Sequence, residues 1–143
     1  MRCHDHDHPQ LDEPISESLF RAECAAILLC AGIPESEVRK CQIVFPAELG
    51  KRHEADPRAY ADVQCERRLF RFAPQALALP EANRLGLIAH EIGHLLDPAA
   101  TENGADAASE GALGVKIAYD SRWPGKGLQR LERIGKQKIG RRT

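Results

Sequence analysis

Residues 85–97 read LGLIAHEIGHLLD, and the interpretation of the whole chain starts from this stretch. It contains the pattern H-E-x-x-H, in which two histidines and one glutamate surround a single zinc ion. On a helix His90 and His94 are one turn apart, so both rings project from the same face. Glu91 lies about 100° further round, where it can reach a water molecule beside the metal without binding the metal. The apolar side chains gather on the opposite face of this helix: Ile88, Ile92, Leu95 and Leu96.

The two histidines need a third ligand, because a catalytic zinc site usually has three protein ligands and one open position. The metzincin motif would require a histidine where this chain has Ala100, so that class is excluded. Asp97 is the next acidic residue, but it lies too close along the same helix to close the site comfortably. Glu102 begins a separate helix after an intervening turn. The chain can therefore fold back there and present the Glu102 carboxylate to the metal.

Residues 102–106, which read ENGAD, match the E-x-x-A-D element that follows HExxH in gluzincin-type zinc peptidases. The short spacing between HEIGH and ENGAD resembles that of the small ImmA/IrrE-type peptidases and the minimal gluzincins, over about residues 85–110. This resemblance implies that Glu102 is the third zinc ligand. It also implies that Asp106 accepts the second ring N–H of a ligand histidine, with His90 as the first choice. Glu102 and Asp106 are one turn apart on a helix and face the same way.

The expected function is a zinc-dependent endopeptidase. Zn²⁺ would be bound by His90, His94 and Glu102, and would activate a water molecule for attack on the peptide bond. Glu91 would be the general base, which takes a proton from that water and delivers it to the leaving amine. The substrate would be a protein loop or an unfolded segment, and the ImmA/IrrE resemblance implies a regulatory protein such as a repressor. Because the chain has no room for a second lobe, we expect a shallow groove along a strand edge that binds an extended peptide.

The residue that would stabilise the transition state is not identified by the sequence. Tyr119 is about 17 residues after Glu102, roughly 25 Å along an unbroken helix, and would reach the site only if that helix bends. Arg122 and His53 are weaker candidates. The alternative function is therefore a catalytically weak or inactive zinc-binding module, whose basic C-terminus binds a protein or nucleic acid.

The composition is typical of a globular domain, with 143 residues of which 43% are hydrophobic and 29% are charged. The formal net charge of −1 provides no general attraction to nucleic acid or membranes, so a protein or peptide substrate is the expected partner. Five cysteines without a C-x-x-C pair favour reduced thiols and a cytoplasmic location, the alternative being a secreted chain with two disulfides. The N-terminus lacks the features of a signal peptide, and no apolar run is long enough to span a membrane.

The predicted fold is of the α+β class, a minimal zincin-like fold. We expect a disordered leader over residues 1–14, a metallopeptidase domain over 15–125 and a basic C-terminal helix and tail over 126–143. The domain would contain an N-terminal helix, a small and mostly antiparallel sheet, the HExxH helix and the helix that carries Glu102.

Local signals predict the boundaries of these elements. Helices are expected, besides a short turn at 34–39, over residues 17–31, 83–97, 102–119 and 128–134. Strands are expected over residues 42–45, 60–65 and 69–73. Ser16 and Asn83 are the expected N-caps of the first helix and of the HExxH helix. Residues 47–58 are expected to be an exposed loop, and residues 75–79 an edge strand or an extended segment.

Overall fold

The computed structural model describes residues 11–55, 60–120 and 128–132. Within these ranges the chain is α+β, as predicted, with five α-helices, a three-stranded sheet and a two-stranded sheet. The helices are α1 (Glu17–Cys30), α2 (Glu35–Val38), α3 (Ala47–Ala55), α4 (Glu81–Leu96) and α5 (Glu102–Leu113). The strands are β1 (Gln42–Val44), β2 (Ala61–Gln64), β3 (Leu69–Phe72), β4 (Lys116–Asp120) and β5 (Leu128–Glu132).

Helix α4, which carries HExxH, lies at the centre of the molecule. Every residue from Gly86 to Gly93 is buried, because α1, α5, β2 and the β4–β5 hairpin all pack around it. Two glycines allow the closest of these contacts. A Cβ atom on Gly86 would lie 2.7 Å from the backbone nitrogen of Arg130 in β5, and a Cβ atom on Gly93 would overlap the carbonyl oxygen of Ala105 in α5. The two elements that cross α4 are therefore placed at backbone distance from it.

The three-stranded sheet has the strand order β1-β3-β2 and is mixed rather than mostly antiparallel. β2 and β3 form the expected antiparallel hairpin, whereas β1 pairs with β3 in parallel. Phe70 and Phe72 alternate with half-buried neighbours on β3 and are themselves buried, as their spacing predicts. The ring of Phe20 in α1 packs against Phe72 with 4.7 Å between the centroids, which fixes α1 on the sheet.

The two outer edges of this sheet differ. On β1 the backbone N–H of Gln42 donates to the carbonyl of Arg68, so the backbone groups of the next residue, Ile43, point away from β3. There Arg21 donates from Nε to the Ile43 carbonyl oxygen at 3.0 Å. On β2 the outer edge pairs with no strand among the described residues.

Two expectations for the middle of the chain are wrong. Residues 47–55 form α3 rather than a loop, because Leu49 is buried in the core and Gly50 packs against the side chain of Gln75. These tertiary contacts outweigh the low helix propensity of glycine. Residues 74–78 form a 3₁₀-helix, neither an edge strand nor an extended segment. Pro74 is its first residue, and Ala76 is its buried residue.

The start of α4 also differs from expectation. Pro80 occupies the N-cap position, and Asn83 lies inside the helix with its side chain buried. Its Nδ2 atom donates to the backbone carbonyl of Gln129 at 3.1 Å. Asn83 therefore attaches the β4–β5 hairpin to α4 instead of capping the helix. At α1 the expected cap is confirmed, since the Ser16 hydroxyl accepts from the backbone N–H of Leu19.

The largest correction concerns the end of the chain. The helix that begins at Glu102 ends at Leu113, because Gly114 adopts a left-handed conformation with φ +70°. The following residues form β4, and residues 128–132 form β5 rather than a C-terminal helix. The apolar spacing of Leu128 and Leu131 fits a helix, but pairing with β4 and packing on α4 stabilise a strand.

Some expectations fall wholly or partly outside the described residues. The His-rich start of the leader, residues 1–10, and the basic tail from residue 133 onward lie there. Two backbone hydrogen bonds attach the described end of the leader to the 3₁₀-helix. One comes from Asp12 in the leader, and the other comes from Ile15, the first residue after it. None of the described helices is both long enough and apolar enough to cross a membrane.

Candidate metal centre

The structure brings together the three residues proposed from sequence as metal ligands. His90 and His94 project from α4, and Glu102 is the first residue of α5. One carboxylate oxygen of Glu102 lies 2.7 Å from His90 Nε2, and the other lies 3.4 Å from His94 Nε2. One ligand atom from each residue lies within 4.8 Å of the other two. This cluster can bind a metal ion.

The position of Glu102 is set by two local features of α5. The Thr101 hydroxyl accepts from the backbone N–H of Gly104 at 3.1 Å and caps the helix immediately before Glu102. One turn later, Ala105 lies against Gly93 of α4 at backbone distance. Because α5 starts and crosses α4 at these points, the Glu102 side chain is directed toward both histidines.

The donor set suits a divalent cation. Imidazole nitrogens and a carboxylate oxygen are the ligands that zinc takes in catalytic sites with an open fourth position. His90 is buried, His94 is half-buried and the Glu102 side chain is 74% exposed, so the cluster opens to solvent on the side of α5. The opening leaves space beside the three ligands for a water molecule or a substrate group.

His90 is held between two carboxylates. Its Nδ1 atom lies 2.6 Å from Asp106 Oδ1, and its Nε2 atom faces Glu102. Burial alone would lower the pKa of His90, but the hydrogen bond to Asp106 and the charges of Glu91 and Asp106 raise the pKa to about 9. The contact with Asp106 is the one that the sequence resemblance implied, and it fixes the ring so that Nε2 points to the candidate metal position.

Glu91 is only 5% exposed and lies on α4 between the two ligand histidines. Burial raises the pKa of its carboxyl group to about 7; His90 opposes this shift, and the negative charge of Glu102 adds to it. For Glu102 itself, burial raises the pKa, but hydrogen bonds and the charges of the two histidines leave it lowered. Glu91 can therefore gain or lose a proton near neutral pH, whereas Glu102 stays ionised.

These side chains line a groove of about 710 Å³. One wall is β2, an outer strand of the sheet, with Ala61, Asp62 and Val63. The charge of Asp62 is balanced, because Arg71 on β3 donates to both of its carboxylate oxygens at 2.8 and 2.6 Å. The other wall is the β4–β5 hairpin, which contributes the three side chains of Tyr119, Leu128 and Gln129.

The prediction of a helix that continues to residue 119 is wrong, and so is the long distance between Tyr119 and the site that it implied. Because the chain reverses at Gly114, β4 returns along α5 and the Tyr119 hydroxyl donates to Asp106 Oδ2 at 3.0 Å. Burial and the charge of Asp106 raise the pKa of Tyr119. Gly114 was the signal for this return, since a glycine at the end of a helical pattern is a common C-terminal stop. Arg122 and the side chain of His53 lie outside the described residues.

Gln129 is a further residue of the groove that sequence reasoning did not single out. It pairs directly with Tyr119 across the hairpin, and its side chain acts on the Tyr119 hydroxyl in the direction that lowers the pKa of that group. Tyr119 and Gln129 meet only through the pairing of two strands, which leaves no local sequence signal, so this contact could not be predicted.

Cys65 also lines the groove, and its Sγ atom donates to the backbone carbonyl of His94 at 3.3 Å. Burial and the charge of Glu91 raise the pKa of this thiol. The four cysteines within the described residues are all free thiols.

Comparison of the chain with protein-family models, with curated protein sequences and with solved structures yields no match.

Proposed function

We propose that this chain is a zinc-dependent endopeptidase, with His90, His94 and Glu102 as the zinc ligands and Glu91 as the general base. The observation that carries the proposal is the convergence of the three ligand side chains within 4.8 Å, next to a buried carboxylate that lines the same groove. The contact between Asp106 and His90 supports the gluzincin-type arrangement that ENGAD implies. The free thiols support a reducing compartment, for which we propose the cytoplasm.

When bound, zinc supplies Lewis acidity: it lowers the pKa of water toward 7 and polarises a carbonyl group. The protein supplies the proton transfer. Glu91 accepts a proton from the attacking water and passes it to the leaving amine nitrogen as the C–N bond breaks. In the metal-free protein burial raises the pKa of Glu91 to about 7, which supports its role as a group that gains and loses a proton.

The groove supports a peptide substrate in extended form. Residues of β2 line the groove, and β2 is an outer strand that pairs on one side only among the described residues, which supports the addition of a peptide strand. The groove is apolar where Leu87 of α4 and Leu128 of the hairpin wall reach it from the hydrophobic core. A segment of unfolded or loop-like polypeptide can therefore pair with β2 while one of its side chains contacts these two leucines.

The test is to compare the wild type with Glu91→Gln, each loaded with zinc, on a library of peptides derived from a cellular proteome. New peptide N-termini are counted by mass spectrometry, and bound zinc is measured for both proteins. We expect the wild type to generate new termini and Glu91→Gln to bind zinc equally well yet to generate none. Glutamine keeps the shape of glutamate but cannot accept the proton.

Cleavage by Glu91→Gln at the wild-type rate would contradict the mechanism. Zinc binding by the wild type without any cleavage would contradict the endopeptidase function and favour the zinc-binding module. In that case binding to nucleic acid that weakens steeply with salt would identify the module's partner.

A further inference from the structure

Asp106 is the point at which the groove wall meets the candidate metal centre. The residue is buried, with 7% exposed, and both of its carboxylate oxygens are engaged. Oδ1 accepts from His90 Nδ1 at 2.6 Å, and Oδ2 accepts from the Tyr119 hydroxyl at 3.0 Å. We propose that Tyr119 is a positioning residue of the metal centre, which acts through Asp106 to hold the His90 ring in its ligating orientation.

The geometry gives Tyr119 this role because a carboxylate with one hydrogen bond can still turn about its terminal torsion. A second donor on the opposite oxygen fixes the plane of the group. The hydrogen bond from His90 Nδ1 to Asp106 in turn fixes the tautomer and the direction of Nε2. Tyr119 thus removes a rotation that would otherwise loosen a ligand of the metal.

Tyr119 is itself held in place by the β4–β5 hairpin. It lies opposite Gln129 in the strand pairing, and the backbone carbonyl of Gln129 accepts from Asn83 of α4. The chain of contacts therefore runs from α4 through the hairpin to Tyr119, then to Asp106 and back to His90 on α4. The wall of the groove and the metal ligand form one connected unit.

This inference rests on the metal centre of the proposed function but not on its peptidase activity. Tyr119 is also 41% exposed and lines the groove, so a direct contact with substrate is the competing role. The two roles predict different measurements. A positioning residue changes metal affinity through Asp106, whereas a residue that contacts substrate changes turnover at saturating metal.

The experiment measures zinc affinity by competition with a chromophoric chelator for the wild type, Tyr119→Phe, Asp106→Ala and the double variant. We expect Tyr119→Phe to bind zinc about fivefold more weakly, the effect of one net hydrogen bond. In the Asp106→Ala background the same substitution should cause no further loss, because the hydroxyl then has no carboxylate through which to act. Tyr60→Phe, which removes the other tyrosine hydroxyl of the chain, is the control and should leave zinc affinity unchanged.

Circular dichroism and urea unfolding establish that each variant is folded. Asp106→Leu, which also offers the Tyr119 hydroxyl no acceptor, replaces Asp106→Ala if the alanine variant is not folded. An equal loss from Tyr119→Phe in both backgrounds would overturn the inference, because Tyr119 would then act independently of Asp106. Unchanged zinc affinity with slower peptide cleavage at saturating zinc would also overturn it, in favour of substrate contact. A wild type that binds no zinc would overturn the proposed function as well, which separates the two failures.

Discussion

The carbonyl oxygen of Ala105 occupies the space that a side chain on Gly93 would need. This single contact sets the distance between α4, which carries two candidate ligands, and α5, which carries the third together with Asp106. A glycine inside a helix costs about 1 kcal/mol relative to alanine. Here the glycine permits the close crossing that brings the residues of the candidate metal centre together.

Gly93→Ala should therefore push α5 away from α4 and weaken the metal centre. We expect zinc affinity to fall roughly 10- to 100-fold, because Glu102 and Asp106 move together. The free energy of unfolding should fall by about 1–3 kcal/mol from overpacking. Titration with zinc and urea denaturation measure the two effects. Gly111→Ala is the matched control, since a Cβ there meets nothing within 4 Å, and it should bind zinc normally.

Glu102→Ala should remove one of three protein ligands and reduce zinc affinity at least about 100-fold. The control is Asp97→Ala, which removes an exposed carboxylate at the C-cap of α4, closer in sequence to His94. That variant should bind zinc as the wild type does. If Asp97→Ala lowered the affinity and Glu102→Ala did not, the third ligand would be assigned wrongly.

Zinc binding should release a proton from His90 and therefore strengthen as the pH rises. In the metal-free protein the pKa of His90 is about 9, so Nε2 carries a proton at neutral pH that a metal ion must displace. We expect the apparent affinity to increase by about tenfold per pH unit up to about pH 9. Calorimetry in buffers of different ionisation enthalpy counts the protons released. A count of zero at pH 7 would contradict this assignment of the His90 proton.

The metal-free fold should lose stability as the pH rises from about 5 to about 9. The raised pKa of His90 contributes stability that is fully present below its ordinary value of 6.5 and is lost through about 9. The raised pKa of Glu91 acts in the same direction, with its contribution lost as the pH rises through about 7. Urea unfolding in excess chelator measures the trend.

Glu91→Gln serves as the control for this pH dependence. It removes the Glu91 contribution and should leave a smaller decline that follows His90, whose pKa is then no longer raised by the charge of Glu91. A metal-free protein that became more stable between pH 5 and 9 would contradict both shifts.

The parts of the fold that the sequence predicts well are those with strong local signals. The capped helix α1, the β2–β3 hairpin and the HExxH helix each combine a clear periodicity with turn or cap residues. The three metal-ligand candidates could be proposed because a motif constrains two of them and a fixed spacing suggests the third. Their convergence then depends on Gly93, which sequence alone marks only as an unfavourable residue inside a helix.

The hairpin that forms the second wall of the groove could not be predicted in this way. β4 and β5 are five residues each, and their apolar spacing also fits a helix. What decides their structure is pairing with each other and packing on α4 at Gly86, both of which are non-local. The contacts of Tyr119 and Gln129 depend on that pairing, so they could not be predicted from the sequence.

The hydrogen bond from Arg21 to the Ile43 carbonyl has a consequence for self-association. A sheet that grows by strand addition needs acceptors and donors on both of its outer strands, as fibrils do. Here an incoming strand at β1 would compete with a guanidinium for a carbonyl, whereas one at β2 would not. Growth by stacking copies edge to edge would pair β2 of one copy with β1 of the next, and the hydrogen bond from Arg21 opposes that pairing.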